Sequence, residues 1–160
     1  MQFRVGSGYD VHKLESGRQL ILGTVKINHS KGSVAHSDGD VLLHAICDAL
    51  LGAAGLRDIG YQFPDTDDTF KGISSSVLLI NVHDKISAIG YNISNIDCTI
   101  AIQTPKISPY IPQMQEKIAE ILHLLPGQVS VKATTTEKLG FEGREEGISA
   151  YAVALIFISE

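Results

Sequence analysis

The sequence predicts an α/β domain built on a mixed β-sheet with helices on one face. Three observations carry this. Strands and helices alternate after an initial strand region. Three segments have helical spacing with caps or stops at their ends. The last strand is apolar at nearly every position, so both of its faces should be covered.

Residues 2 to 12 alternate Phe3, Val5, Ser7, Tyr9 and Val11 against Arg4, Gly6, Gly8, Asp10 and His12, which is strand periodicity with glycines thinning one face. Leu20 to Leu22 and Val25 to Ile27 read as two short strands around Gly23-Thr24, a hairpin before a polar loop through Lys31-Gly32 to Gly39. Ser37, Asp38 and Asp40 open a helix to about Ala53, with Leu43, Ile46, Leu50 and Ala53 on one stripe. A second helix is expected from Ser75 to Ile89, stopped by Gly90, and a third from Ile111 to Leu124, opened by Pro112 and ended by Pro126-Gly127. Strands at Ile93 to Gln103, Val129 to Thr135 and Ser149 to Ser159 complete the order. Helices can cover one face of the last strand; covering the other points to subunit packing.

At 160 residues the chain has the length of one domain, read as 1–160 without linker or repeat. Hydrophobic residues make up 44% and charged residues 19%, with no stretch long enough to cross a bilayer, so no membrane partner is expected. The net charge of -5 comes without a basic run, which argues against nucleic acid and requires cations to be concentrated locally if the substrate is anionic. The first residues lack the apolar core of a signal peptide, and a cytoplasmic address is the default expectation. Cys47 and Cys98 are read as buried free thiols, and the sequons at Asn28 and Asn92 as chance.

Asp10 and His12 share a strand face, and His44 on the first helix could add a third ligand for a divalent metal. Zinc suits the imidazoles best; manganese or cobalt would also fit. Taken alone, the Asp-x-His pattern reads sooner as a satisfied edge histidine and an unrelated helix cap than as a metal site. His36-Ser37-Asp38-Gly39-Asp40 could receive an anion at a helix start or simply cap that helix. Asp40 and Asp48, four residues either side of His44, are candidates to orient its imidazole. Lys132 to Lys138 ends a strand with three hydroxyls, a carboxylate and two cations, suited to phosphates and a second metal, although threonines also simply favour strands. Asp65 to Ser76 fails as a calcium loop, because Phe70 stands where Gly is needed and Ser76 where Glu is needed. Neither a dinucleotide fingerprint nor a serine-hydrolase elbow is present.

Six ordered blocks, Tyr9-Asp10-Val11-His12, Ala35 to Asp40, Asp58-Ile59-Gly60, Phe63-Pro64-Asp65-Thr66-Asp67, Pro105-Lys106 and Lys132 to Gly140, resemble the 2-C-methyl-D-erythritol 2,4-cyclodiphosphate synthases from end to end. The resemblance implies conversion of 4-diphosphocytidyl-2-C-methyl-D-erythritol 2-phosphate to the cyclic diphosphate and CMP, in the non-mevalonate route to isoprenoids. It implies a homotrimer, its sheets packed around a threefold axis, with active sites between subunits. It also implies zinc on Asp10, His12 and His44, and magnesium or manganese held by Glu137 against the diphosphate. His36 and Thr135 would stabilise the transition state. Asp10, His12, His36, Ser37, Asp58, Ile59, Gly60, Phe63, Pro64, Asp65, Thr66 and Asp67 would meet the methylerythritol phosphate side. Ile102, Gln103, Thr104, Pro105, Lys106, Ile107 and Ser108, with Thr134, Thr135, Thr136 and Glu137, would receive the cytidine and its phosphates, and Phe141 and Arg144 complete the set.

The family places small or different residues around its Pro-Lys pair, so base contacts in this chain's loop are expected through the backbone. Arg144 in the family also lies near an axial cavity that can hold an isoprenoid diphosphate. The attacking group is the substrate's own phosphate, already anionic, so positioning and charge neutralisation by two metals, Lys106 and Lys132 should supply the rate. The competing readings are a metal-dependent phosphodiesterase and a non-catalytic trimer that binds nucleotide or isoprenoid phosphate.

Overall fold

A computed structural model describes residues 2–64 and 72–158. Strands β1 (Gln2–Ser16), β4 (Lys31–Val34), β5 (Asn92–Ala101), β6 (Val129–Thr134) and β7 (Gly147–Ile158) form one mixed sheet in the order β4-β1-β7-β5-β6. The pairs are antiparallel except β5 with β6. Strands β2 (Leu20–Leu22) and β3 (Val25–Ile27) form a separate hairpin, in which Gly23 and Thr24 both take positive φ, as a two-residue I′ turn requires. Helices α1 (Val41–Ala54), α3 (Ser75–Ala88) and α4 (Ile111–Ile121) match the three expected, ending within three residues of the predicted limits; α2 (Ile59–Gln62) and α5 (Gly140–Gly143) are single turns without a sequence period. No helix among the described residues is long and apolar enough to cross a membrane.

The polar loop expected at residues 31–39 begins instead as β4, an edge strand pairing Lys31 to Val34 with the last residues of β1. Its glycine explains why no strand pattern announces it. A Cβ on Gly32 would sit 2.2 Å from the Gln19 carbonyl, so this strand exists by close backbone approach rather than by side-chain alternation.

The core lies between α1 and the sheet. Helix α1 packs on β1 and β7, where the facing residues are small: Gly6 and Gly8 on β1, and Ala150, Ala152 and Ala154 on β7, all buried. A Cβ on Gly8 would stand 1.9 Å from the Ala45 carbonyl oxygen, and one on Gly6 2.0 Å from that of Ala49. Glycine on the strand and alanine on the helix let two backbones touch, and this contact sets the height of His44 above Asp10 and His12.

Asp40 fastens the hairpin to α1. Its buried carboxylate accepts hydrogen bonds from the backbone N–H groups of Gly23 at 3.0 Å, Thr24 at 2.7 Å and Leu43 at 3.2 Å. Burial pushes this carboxyl up from 3.8 to about 6, with the three N–H groups pulling the other way. In the folded chain Asp40 therefore binds a proton more readily than in the unfolded chain, so its ionisation costs stability as pH rises from about 4 through 6, by about 3 kcal/mol in total. Asp40→Ala lacks this slope and leaves three N–H groups without their acceptor. Urea unfolding should show it less stable by about 3 kcal/mol at pH 7, the gap widening as pH falls towards 4.

Cys47 and Cys98 are buried free thiols, and burial pushes Cys98 up to about 12. The opposite face of the sheet carries Phe3, Val5, Tyr9, Val11, Tyr151 and Val153, all exposed, with Tyr9 and Tyr151 rings 4.8 Å apart. In β7 the apolar residues thus divide between a face that α1 covers and a face that nothing among the described residues covers.

Candidate active site

Asp10 and His12 lie two residues apart on the α1 side of β1, and α1 brings His44 over them. Asp10 Oδ2 stands 3.1 Å from His12 Nε2 and 3.1 Å from His44 Nδ1, and the three ligand atoms all lie within 4.8 Å of one another. The two rings meet edge to face at 5.2 Å. The nitrogen that each ring turns away from Asp10 is already engaged: His12 Nδ1 lies 3.0 Å from the Gly39 carbonyl, and His44 Nε2 lies 2.9 Å from Ser75 Oγ. Each ring can therefore donate outward as well as towards Asp10, so that a metal replacing the inner protons would meet two nitrogen lone pairs, the arrangement that metal-ligating histidines need. Burial pushes the Asp10 carboxyl up, but hydrogen bonds from His12 and His44 outweigh this and hold it well below the usual carboxylate range. Burial likewise opposes charge on His12, and Asp10 outweighs it and raises the imidazole above its ordinary value. A cation at this point would replace the protons that now hold the cluster together.

The cluster opens into a cavity of about 350 Å³ lined by His12, His44, His36, Ser37, Ile59, Gly60, Phe63 and four further residues. His36 is exposed at its rim. The His36 to Asp40 segment delivers His36 and Ser37 to the cavity, but the helix start is already in use. Asp40 holds the Leu43 amide, and Asp38 binds α3, so the anion reading is narrowed to the two side chains. Neither Asp40 nor Asp48 orients His44. Asp40 serves the hairpin, and Asp48 accepts the Ile59 N–H at 2.7 Å, fixing the start of α2. Asp58 caps the same turn through the Tyr61 amide at 2.9 Å and is exposed beside the cavity residues Ile59 and Gly60. Pro64 is exposed; Asp65, Thr66, Asp67 and the Phe70 used to reject a calcium loop lie outside the described residues.

The residues expected to receive the nucleotide gather elsewhere. Ile102 N–H donates to the Thr134 carbonyl at 3.0 Å, and Gln103 Oε1 accepts the Lys138 amide at 3.1 Å, which ties residues 102–108 to the end of β6. The Thr104-Pro105 peptide is cis. Thr135 Oγ1 donates to Glu137 Oε1 at 2.9 Å, and Lys106, Ser108, Thr134, Thr135 and Glu137 are exposed, whereas Ile102 and Ile107 are buried. Phe141 is half-buried against Gly147, and Arg144 pairs with Glu146 through two nitrogens at 3.1 and 3.0 Å. Lys132 does not join this group. It alternates with the buried Val131, so it projects from the outer sheet face and pairs with both carboxylate oxygens of Asp97.

Val11 pairs with Ser149, Ser149 with Ala101, and Ala101 with Thr134, so the metal cluster and the nucleotide loop lie at the same end of the sheet. Two strand spacings, about 10 Å, separate β1 from β5, where residues 102–108 begin, and three, about 14 Å, separate it from the end of β6. None of the residues lining the cavity comes from 102–108 or 134–137.

The profile of the YgbB family matches residues 3–157. The chain belongs to the YgbB family. Among its relatives, the 2-C-methyl-D-erythritol 2,4-cyclodiphosphate synthase of Porphyromonas gingivalis is 58% identical over 154 residues, covering 96% of this chain and 95% of that one. The synthase of the same name from Lysinibacillus sphaericus is 57% identical over 96% of this chain and 98% of its own. Solved YgbB-like structures agree with the fold. The bifunctional IspDF of Campylobacter jejuni superposes with a TM-score of 0.95 at 45% identity, and this chain covers 43% of that longer protein. IspF of Plasmodium falciparum in complex with CDP gives 0.87 at 36% identity over 99% of this chain and 97% of that one.

Asp10, His12 and His44 thus meet as the sequence pattern suggests. Ser75 and Asp38 are the contacts that the sequence reading missed, because a serine at a helix start and an aspartate before one both look like caps.

Proposed function

We infer that this protein converts 4-diphosphocytidyl-2-C-methyl-D-erythritol 2-phosphate to 2-C-methyl-D-erythritol 2,4-cyclodiphosphate and CMP. The observation that carries this is the convergence of Asp10, His12 and His44 at the mouth of the cavity, in a chain 58% identical to a synthase of that name. An oxygen of the substrate's 2-phosphate attacks the β-phosphorus of the diphosphate. The bond from that phosphorus to the bridging oxygen breaks, and CMP leaves with the bridging oxygen. The nucleophile arrives ionised, so the site needs no strong base; it must hold two anions in line.

A divalent transition ion, zinc by the preference of imidazole donors, would be held by Asp10, His12 and His44, and magnesium or manganese by Glu137, together supplying charge neutralisation at the phosphates. His36 and Ser37 donate to the methylerythritol phosphate from the rim, with Asp58 to Gly60, Phe63 and Pro64 shaping that side. Thr135, oriented by its bond to Glu137, faces the diphosphate. Residues 102–108 and Thr134 to Glu137 receive the cytidine, a reading supported by the CDP complex of the Plasmodium falciparum relative. Lys106 is the cation of that loop, since Lys132 is engaged by Asp97.

The working unit in this reading is a homotrimer. Its support is the apolar outer face of β1 and β7, which subunit packing would remove from water, and the separation of about 10 to 14 Å between the two halves of the site in one chain. The metal half of one subunit would then face the nucleotide half of its neighbour.

Phosphorus NMR of the products tests the reaction. The cyclic diphosphate and CMP are expected; CMP with a linear bisphosphate would identify a phosphodiesterase, in which water rather than the 2-phosphate attacks.

A further inference from the structure

Ser75, the first residue of α3, is fully buried, an unusual place for a hydroxyl without a task. Its Oγ lies 2.9 Å from His44 Nε2 and also donates to Asp38 Oδ1. Asp38 gathers three more donors: the Ser75 amide at 3.0 Å, Ser74 Oγ at 3.1 Å and the Asp40 amide at 3.3 Å. A carboxylate can only accept, so the hydroxyl proton of Ser75 is committed to Asp38. The oxygen of Ser75 then offers a lone pair to His44 Nε2, and that nitrogen must carry the proton. Its partner, Nδ1, now donates to the Asp10 carboxylate at 3.1 Å, and a metal that displaced this proton would meet the lone pair there. Ser37 Oγ also faces His44 Nε2, at 3.3 Å, but it is only half-buried, lines the cavity and takes the Gly39 amide.

We propose that Asp38 and Ser75 are positioning residues that fix the tautomer and angle of His44, so that the start of α3 sets the metal affinity of a site built on β1 and α1. The proposal rests on reading Asp10, His12 and His44 as metal ligands. The relay runs in one direction: Asp38 accepts from Ser75, and Ser75 accepts from His44. Loss of either partner frees the imidazole to turn or to place its proton on the ligating nitrogen, and partners of this kind are worth roughly 10- to 100-fold in metal affinity.

The test measures zinc dissociation constants by chelator competition for the wild type, Ser75→Ala and Asp38→Asn. It is joined by nitrogen NMR of the His44 ring in the zinc-loaded wild type, which needs no variant to fold. A rise of roughly 10- to 100-fold in the zinc dissociation constant is expected in both variants, with the wild-type proton on Nε2 and protected from solvent exchange. Zinc affinity within about threefold of wild type in both folded variants, or a wild-type proton on Nδ1, would overturn the proposal while leaving the functional reading intact. A wild type that binds neither zinc nor another divalent transition ion would instead sink the metal reading, and this proposal with it.

Discussion

Gly8→Ala should cost the protein its metal, at least about 100-fold in zinc affinity, although the substitution adds a single methyl group to a residue that is no ligand. The new Cβ would lie 1.9 Å from the Ala45 carbonyl oxygen and 2.8 Å from the Ala49 amide, both backbone atoms that no rotamer change can move. Relief requires α1 to lift from β1 by on the order of 1 Å, measured against ordinary van der Waals contact. Ala45 follows His44 directly, so the shift is delivered to the ligand, and metal sites tolerate only about 0.2 Å in ligand distance. Gly52→Ala on the same helix is the control. Its Cβ meets nothing closer than the Ser7 carbonyl at 4.0 Å, and alanine in a helix interior should stabilise by about 1 kcal/mol. Zinc titration of the two variants separates a site that depends on the strand-helix contact from one that depends only on its ligands.

Val153→Asp should produce a folded monomer that retains zinc and turns over at least about 1000-fold more slowly. Val153 is 45% exposed in the single chain, near Tyr151 on the same face and paired with Ser7 of β1, so a carboxylate there costs one chain little. In the proposed trimer the same carboxylate would be buried against apolar partners without a counter-charge, a cost of several kcal/mol at each of three symmetric interfaces. Sedimentation gives the assembly state, and the zinc content shows whether the metal half survives. Full turnover by a monomer would mean that one chain holds a complete site.

Much of the metal centre was legible in the sequence because β1 states its own alternation. Asp10 and His12 fall on the glycine-bearing face. His44 was legible only as a possible third ligand on the first helix, and the family resemblance is what turned that possibility into an expectation. The partners of His44 were not legible. Ser75 reaches it only because α3 packs on α1, a tertiary contact that leaves no periodicity in the sequence. The exchange of Asp40 and Asp48 for Ser75 and Asp38 has the same origin: helical spacing put two carboxylates near His44 on paper, while the hairpin amides and α2 claimed them in space. Lys132 was misjudged by proximity to its threonine neighbours, although strand alternation already placed it on the outer face with Asp97. The division of the site came from sheet order. β7 is last in the chain but lies between β1 and β5, which moves the nucleotide loop away from the metal cluster of its own subunit.

The most direct test of the shared site is complementation. Co-expressed His44→Ala and Glu137→Ala chains, each inactive alone, would assemble mixed trimers in which some sites pair an intact metal half with an intact nucleotide half. With random assembly of equal amounts, roughly a quarter of the sites should be whole, and cyclic diphosphate should form at about that fraction of the wild-type rate. Mixed trimers as inactive as their parents would contradict a site built from two chains.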